Sequence, residues 1–388
     1  MFNFDFYNPT RILFGKDRLE GIDKYVSAEA TVLITYGGGS AKKSGLIDKV
    51  KTVLGNRKVY EFGGIEPNPR YETLVKAVEV VRKENIDFIL AVGGGSVIDG
   101  TKFITLASYY DGDSTNLLKY GFTPIPLDVV GETVPFGTVL TLPATGSEMN
   151  DGAVISYGHG KFPVLSELAF PKFSILDPTI TFTLPKIQVA NGVIDAFVHV
   201  TEQYLTFPVD ARVQDRMAEG ILQTLIEIGE TTVDESENYD ARANLVWSAT
   251  LALNGLIGAG VPQDWTTHMI GHELTALLGI DHGQTLAIVL PSLLEVRREQ
   301  KRAKLLQYAE RVWQIESSSD EEKIDLAIQK TREFFESLGV KTRLSQYGVG
   351  AEKIPVIVEQ LKAHGLTALS ETQDITLDIS QKILERAL

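Results

Sequence analysis

Hydrophobic and polar positions follow two different patterns along the chain, and the change comes near residue 185. Between residues 31 and 177, short apolar runs rich in β-branched residues alternate with amphipathic segments. The runs TVLITY, KVYEF, FILAV, TVLTLP and FSILDP predict strands, and the segments between them, such as RYETLVKAVEVVRKENI, predict helices. Strands that alternate with helices are typical of a parallel sheet with crossover connections, so this half predicts an α/β fold.

After TFTLP the chain consists of long segments with helical periodicity, and we find no convincing strand there. The segments include QVANGVIDAFVHVTEQYL, ARVQDRMAEGILQTLIEIG, ARANLVWSATLALNGLIG, TTHMIGHELTALLG and KRAKLLQYAERVWQI. Pro178 and Pro185 mark the junction, as prolines often do between domains. The sequence therefore predicts two domains, an α/β domain over residues 1–184 and an all-helical domain over residues 185–388.

Composition and charge exclude several classes of function. Hydrophobic residues make up 44% of the chain and charged residues 23%, which is typical of a soluble globular protein. No apolar run approaches the roughly 18 residues of a membrane helix, and the N-terminal sequence does not have the pattern of a signal peptide, so we predict a cytoplasmic protein. A net charge of −14 argues against nucleic acids and membranes as partners.

The chain contains no cysteine. This excludes disulfides, thiolate metal sites and a cysteine nucleophile. Any metal must therefore be held by nitrogen and oxygen atoms, which directs attention to the six histidines and to the carboxylates near them.

Two glycine triplets each stand between a predicted strand and a predicted helix, in ITYGGGS and LAVGGGSVID. At such a turn a ligand can approach the backbone, and the free N–H groups of the following helix attract a phosphate. Neither triplet matches the dinucleotide fingerprint or a P-loop, and either alone is equally well explained as a tight turn. Two such turns at the carboxyl edge of one sheet favour a nucleotide-binding crevice.

The residues after the first triplet favour NADP(H) over NAD(H). Enzymes that select NAD usually place a carboxylate against the ribose 2′-hydroxyl. Here Ser40 is followed by Lys42 and Lys43, so a hydroxyl and two cations are available for a 2′-phosphate, and we expect no acid beside them. The alternative is that the two lysines belong to an exposed helix start.

Five residues suited to metal binding lie in two predicted helices and just beyond the second. Asp195 and His199 are four residues apart, as are His268 and His272, and His282 follows in GIDHGQT. Residues at this spacing share a helix face, and imidazole with carboxylate suits zinc or ferrous iron. The spacing alone leaves open which of the five bind.

The alternative for each histidine is a hydrogen-bonded core residue. An aspartate in so apolar a helix as the one around Asp195 is costly to bury unless it pairs or ligates, which favours the metal site. The segment HMIGHE is not the H-E-x-x-H pattern of a zinc protease. His159 and His364 lie outside these segments and are expected at the surface with no role.

Together these motifs resemble the iron-containing, or group III, alcohol dehydrogenase family, and in particular its butanol-dehydrogenase-like branch. The resemblance covers nearly the whole chain and rests on RILFGK, LITYGGGS, EFGGIEPNP, LAVGGGSVIDGTKFI, LTLPATGSE, VANGVIDAFVHVTEQY, GVPQDWTTHMIGHELTA and DHGQTLAIVLP. It implies a Rossmann-like, dinucleotide-binding N-terminal domain and a helical, metal-binding C-terminal domain, which is the dehydroquinate-synthase-like fold, with the active site in the cleft between them.

The resemblance also implies roles for individual residues. It implies one divalent metal, Zn²⁺ or Fe²⁺, with the ligands Asp195, His199, His268 and His282. His272 then falls near the nicotinamide and the substrate, as a candidate for the proton path. Lys43 is a candidate NADP(H)-binding residue because of its charge. The resemblance implies as further NADP(H)-binding residues Gly38, Gly39, Ser40, Gly94, Gly95, Ser96, Asp99, Thr141, Leu142, Thr145, Ser147 and Lys161.

We therefore predict an NADPH-dependent, metal-containing alcohol dehydrogenase that acts mainly as a reductase of short and medium aliphatic aldehydes, by hydride transfer to a metal-polarised carbonyl. The resemblance further implies a homodimer. One alternative is a polyol oxidoreductase on the same fold, such as a glycerol-dehydrogenase-like enzyme, and another is a catalytically inactive nucleotide-binding protein. The segments TLPATGSE and DAFVHVTEQY favour the alcohol dehydrogenases.

Overall fold

The computed structural model describes residues 1–158 and 160–388, so His159 lies outside the described residues. The chain divides into two compact units. One comprises Tyr7–Thr183, and the other comprises Leu184–Leu388 together with Met1–Phe6. The first six residues, which the sequence analysis assigned to the first domain, thus group with the helical unit.

The α/β unit contains a parallel sheet, in agreement with the predicted fold class. Its strands are β1 (Arg11–Phe14), β2 (Thr31–Tyr36), β3 (Lys58–Phe62), β4 (Phe88–Gly93), β5 (Phe136–Leu140) and β8 (Phe173–Leu176). Within the described residues, six strands pair in the order β1-β8-β5-β4-β2-β3, and every neighbouring pair is parallel. A separate antiparallel hairpin is formed by β6 (Gly152–Tyr157) and β7 (Gly160–Leu165).

The helices of this unit are α1 (Gly21–Tyr25), α2 (Ser40–Lys43), α3 (Leu46–Leu54), α4 (Tyr71–Glu84), α5 (Gly95–Tyr109) and α6 (Leu127–Val130). The segment KSGLIDKVKTVLG, which predicts a single helix, instead spans the end of α2 and all of α3. The two are separated at Gly45, whose φ of 77° lies in the left-handed region. A core cluster packs apolar residues of α1 and α3 against the central strands, which explains why β2, β4 and β5 are apolar along their length.

The second unit is built from helices α7 (Lys186–Tyr204), α8 (Arg212–Asp234), α9 (Tyr239–Ala252), α10 (Thr266–Leu278), α11 (His282–Val296), α12 (Arg302–Arg311), α13 (Asp320–Ser337), α14 (Ile354–Ala363) and α15 (Leu377–Arg386). The predicted helical domain is confirmed, with the addition of an antiparallel pair of two-residue strands, β9 (Ala368–Leu369) and β10 (Ile375–Thr376). Helices α7 and α11 are buried on nearly all sides, as expected of helices that are apolar all round. In the parts of the chain that the structure describes, no helix is long and apolar enough to cross a membrane.

Lys102 is a fully buried cation on α5. Its ammonium group donates to Asn150 Oδ1 at 2.7 Å and to the carbonyl oxygen of Gly152 at 2.8 Å, which fastens the start of the β6–β7 hairpin to α5. Burial lowers the pKa of Lys102 to about 8, although the nearby Asp99 raises it.

We expect the buried ammonium group of Lys102 to make the stability of the protein depend on pH. In the unfolded chain the lysine has its ordinary pKa of 10.5, so between pH 8 and 10.5 the unfolded state binds more protons and stability rises with pH. The free energy of unfolding of the wild type minus that of Lys102→Met should therefore increase by about 3 kcal/mol between pH 7 and 10.5. Urea unfolding at a series of pH values measures this difference.

Lys172→Met, which replaces an exposed lysine of the same unit, is the matched control. A difference between the wild type and Lys102→Met that is constant over this pH range would contradict the lowered pKa.

Candidate functional site

The two glycine turns lie at the carboxyl ends of β2 and β4, which are neighbours in the sheet. Tyr36 at the end of β2 pairs with Val92 of β4, so the two turns leave the sheet at nearly the same level. The first turn leads into α2, and Gly94 of the second precedes α5. This is the edge at which open α/β sheets bind their ligands.

The first glycine turn is open. A Cβ atom added at Gly38 would meet no atom within 4 Å. Ser40 and Lys43, which follow it, are exposed. A ligand can therefore lie directly against this stretch of backbone.

The second glycine turn is packed against the segment 141–147. A Cβ atom at Gly95 would clash with Thr145 Oγ1, and one at Gly94 would lie 3.0 Å from Leu142 Cβ. The backbone N–H of Thr141 also donates to the carbonyl oxygen of Gly93 at 3.0 Å. Here the absence of side chains allows two segments of the protein to approach each other, and together they form one wall.

The carboxylate of Asp99 accepts hydrogen bonds from two other groups of the protein. Its Oδ1 accepts from Ser147 Oγ at 2.6 Å and its Oδ2 from the backbone N–H of Val154 at 2.9 Å. Burial raises the pKa of Asp99, against the effect of these bonds and of the nearby Lys102 and Lys161. Two residues that the resemblance assigns to the cofactor, Asp99 and Ser147, thus contact each other and hold the wall in place.

Ser96 and Lys161 complete the predicted cofactor set. The Oγ atom of Ser96 accepts from the backbone N–H of Asn68 at 3.3 Å. Lys161 lies half-buried on β7, opposite Ser156 of β6.

Glu61 is a carboxylate beside the first turn that the sequence analysis did not identify. Its Oε2 lies 3.1 Å from Lys42 Nζ and accepts from the Tyr36 hydroxyl at 3.1 Å, and Lys51 also pairs with it. The interaction with Lys51 lowers the pKa of Glu61, although burial opposes this. The expectation that no acid lies beside these lysines is therefore wrong for Lys42.

Lys43 differs from Lys42. It is exposed, and among residues 1–158 and 160–388 no carboxylate pairs with its ammonium group.

Glu61 is 19 residues from Lys42 in sequence, and only the pairing of β3 with β2 brings the side chain of Glu61 close to Lys42.

The candidate metal ligands come from three helices of the second unit. Asp195 and His199 lie on α7, His268 and His272 on α10, and His282 is the first residue of α11. Asp195 Oδ1 lies 3.6 Å from His268 Nε2 and 3.7 Å from His282 Nε2. Ligand atoms of these three residues all lie within 4.8 Å of one another.

The dimensions of this trio fit one metal ion. Ligand atoms about 2.1 Å from a tetrahedral ion are about 3.4 Å apart, close to the distances found here. Asp195 Oδ1 and His268 Nε2 are buried, and neither makes a hydrogen bond within the described part of the chain. Buried polar atoms in this state are well suited to face a cation.

The other two histidines lie beside the trio. His199 Nδ1 is 3.6 Å from Asp195 Oδ1, and its ring stacks on that of His268 with a centroid separation of 4.5 Å. The ring of His272 is half-buried, with its centroid 5.0 Å from that of His282 and 6.2 Å from that of His268.

His282 reaches Asp195 because the start of α11 approaches α7 closely. A Cβ atom at Gly283 would lie 2.7 Å from the carbonyl oxygen of Asn191 on α7, so a larger residue would push the two helices apart. The close approach of these helices therefore depends on a glycine that directly follows a candidate ligand.

The electrostatics of the trio are those of a buried anion among imidazoles. Burial would raise the pKa of Asp195, but His199, His268 and His282 together hold it well below its usual range. Burial would lower the pKa of His268, but Glu202 and Asp195 raise it to about 9. The cluster therefore favours positive charge next to Asp195.

Glu202 is a second residue that the sequence analysis missed. It lies on α7, and its Oε2 pairs with His268 Nδ1. A signal was present, because Asp195, His199 and Glu202 have the i, i+4, i+7 spacing of one helix face.

The chain is similar to known proteins over nearly its whole length. Residues 9–178 match the family model for iron-containing alcohol dehydrogenases, and residues 189–388 match that for the C-terminal part of the Fe-containing alcohol dehydrogenase family. The chain is 58% identical to the NADPH-dependent aldehyde reductase YqhD of Escherichia coli, with 100% of both chains covered. It is 40% identical to the NADH-dependent butanol dehydrogenase A of Clostridium acetobutylicum, with 93% of each covered.

A solved structure of the E. coli aldehyde reductase, in a form free of substrate and cofactor, superposes with a TM-score of 0.94 at 56% identity, and 100% of each chain is covered. The matched models account for most of the chain and the similarity extends over its full length. The chain therefore belongs to the iron-containing alcohol dehydrogenase family.

Proposed function

We propose that this chain is an NADPH-dependent aldehyde reductase that converts short and medium aliphatic aldehydes to primary alcohols. The observation that carries the proposal is the trio formed by the buried Asp195 and His268 and the half-buried His282, whose ligand atoms converge on one point. The similarity to an NADPH-dependent aldehyde reductase and to butanol dehydrogenases supports the reaction and the substrate class.

In this proposal Asp195, His199, His268 and His282 hold one divalent ion, Zn²⁺ or Fe²⁺. The absence of cysteine and the set of one carboxylate with imidazoles suit either metal. The ring of His199, stacked on His268 and close to Asp195, is the fourth member of the set.

When bound, NADPH supplies a hydride and the metal supplies the Lewis acidity that polarises the aldehyde oxygen. The chain itself must orient both and deliver a proton to the product oxygen. We assign His272 to the proton path, because its half-buried ring lies next to His282 without joining the trio.

The cofactor would lie on the open first turn and on the wall formed by the second. In this proposal the adenosine end and its 2′-phosphate contact Gly38, Gly39, Ser40 and Lys43. The pyrophosphate lies near Gly94, Gly95, Ser96 and Asp99, and Asp99 acts through Ser147 and α5. The nicotinamide side is formed by Thr141, Leu142, Thr145, Ser147 and Lys161.

Replacement of two neighbouring histidines should separate metal binding from proton delivery. We expect His268→Ala to lose the metal and with it all NADPH oxidation with butanal, because it removes a ligand atom 3.6 Å from Asp195. We expect His272→Ala to keep the metal and lose about 100-fold in kcat, as is typical of a missing proton-transfer group. Elemental analysis of the purified proteins and the decrease in NADPH absorbance measure the two effects.

Loss of the metal from His272→Ala would contradict the assignment of these histidines. Failure of the wild type to oxidise NADPH with any aliphatic aldehyde would instead contradict the proposed reaction.

Lys43 should discriminate between the two coenzymes. Lys43→Ala removes a cation from the proposed 2′-phosphate position, so we expect KM for NADPH to rise about tenfold, which corresponds to one charge-assisted hydrogen bond. KM for NADH should not change, because NADH carries no 2′-phosphate. Steady-state kinetics with both coenzymes tests this, and Lys49→Ala, at an exposed lysine of α3, is the matched control. Equal changes in both KM values would place the phosphate elsewhere.

We propose in addition that the protein is a homodimer, with Met1–Phe6 in the interface. This segment runs along the helical unit, where the backbone N–H of Phe2 donates to the carbonyl oxygen of Gly260 at 2.9 Å. Phe2, Phe4 and Phe6 remain 46–50% exposed. A row of exposed aromatic rings that is held in place by the backbone is typical of a protein contact surface.

We expect light scattering coupled to size-exclusion chromatography to give twice the chain mass for the wild type. A variant with Phe2, Phe4 and Phe6 all replaced by serine should elute as a monomer, because it lacks the three aromatic rings of the proposed interface. Phe122→Ser removes a ring that is even more exposed, at 59%, from another part of the protein and should remain a dimer. A dimeric triple variant would show that the interface lies on another surface.

The cytoplasmic location and the absence of nucleic-acid and membrane partners stay predictions from the sequence.

A further inference from the structure

Glu202 holds both the ring and the backbone of His268. The carboxylate is buried, with its side chain 2% exposed. Its Oε2 pairs with His268 Nδ1. Its Oε1 accepts from the backbone N–H of Thr267 at 2.6 Å and from that of His268 at 3.4 Å. One side chain of α7 therefore determines how the first turn of α10 and the imidazole on it are placed.

The contact between Glu202 and His268 also determines which ring nitrogen of His268 carries the free lone pair. A carboxylate at Nδ1 keeps the proton on that nitrogen, so the lone pair of a neutral ring is on Nε2. Nε2 is the atom that faces Asp195 Oδ1 at 3.6 Å. The ring is therefore oriented, with the correct tautomer, towards the centre of the trio.

The buried ammonium group of Lys301 interacts favourably with the negative charge of Glu202. Lys301 is 4% exposed, and its ammonium group lies 2.7 Å from Asp264 Oδ2 and donates to the carbonyl oxygen of Leu205 at 2.6 Å. Asp264 is joined to Glu202 by a backbone hydrogen bond of 2.9 Å, and its Oδ1 accepts from the N–H of Thr266 at the start of α10. Lys301 thus partly offsets the charge of Asp264 and Glu202, which hold the same helix end, and its ammonium group also lies 3.5 Å from Glu371 Oε2.

We propose that Glu202 is a positioning residue for the metal centre: it fixes the tautomer and orientation of His268, within a buried network whose negative charge Lys301 partly offsets. The inference rests on the proposed metal site. It adds to that site a residue that does not contact the metal but controls its affinity. Loss of such a carboxylate partner behind a ligating histidine typically weakens metal binding 10- to 100-fold.

The test uses the full-length protein, stripped of metal and titrated with Co²⁺ in competition with a chelator. We expect Glu202→Ala to bind Co²⁺ about 10- to 100-fold more weakly, with a changed ligand-field absorption spectrum because the ring of His268 is free to turn. Glu202→Gln should lose less affinity, because its side-chain oxygen can still accept from Nδ1. If Glu202→Ala fails to fold, as judged by circular dichroism, the nearly isosteric Glu202→Gln still provides the test.

The matched control is Glu219→Gln on α8. Glu219 is also a buried carboxylate of this unit, but its partners are Tyr204, Arg216, Gln307 and Arg311, and none of the clustered histidines is among them. Its replacement should leave both the affinity for Co²⁺ and the spectrum unchanged.

Two outcomes would overturn the inference in different ways. Wild-type affinity and an unchanged spectrum in both Glu202 variants would show that Glu202 does not position His268, while the metal site itself would stand. A wild type that binds no Co²⁺, or a His268→Ala variant that binds it equally well, would remove the proposed metal site and the inference with it.

Discussion

The helical unit depends on a buried carboxylate that must be compensated by positive charge. Asp195 lies in the middle of α7, which is buried on nearly all sides, and its side chain is only 4% exposed. An ionised carboxylate in such surroundings is costly unless it is paired or coordinated. The imidazoles of His199, His268 and His282 meet this requirement, and they come from three different helices. The packing of α7, α10 and α11 is therefore tied to the chemistry of one side chain.

In the α/β unit, hydrogen bonds to neighbouring segments compensate two charged side chains of α5. On α5, the half-buried Asp99 and the fully buried Lys102 both form hydrogen bonds with the segments that follow β5. These contacts hold the loop containing Thr145 against Gly95, so that the second glycine turn is a rigid wall while the turn at Gly38 stays open. The proposed nucleotide site is therefore shaped by buried polar contacts as much as by glycine.

Regular elements with strong periodicity were predictable. The buried strands β2 and β4 and the long helices α4, α7 and α8 all lie where the apolar pattern indicates. Strand β1 was not predicted, because its four residues are too few to show a period, and the β6–β7 hairpin was not predicted either. The break at Gly45 was missed because a glycine within an otherwise helical pattern does not by itself reveal a change of helix axis.

The amino-acid pattern alone indicates which residues share a helix face and which chemistry their side chains offer. It placed Asp195 and His199 on one helix face and His268 and His272 on another, and the absence of cysteine restricted the ligands to nitrogen and oxygen. The packing of the chain is what brings Asp195, His268 and His282 together. It also puts Glu202 behind His268 and pairs Glu61 with Lys42. The physical reason is that periodicity reports contacts within a single element. Asp195 and His268 are far apart in sequence, and the packing of whole helices brings them together.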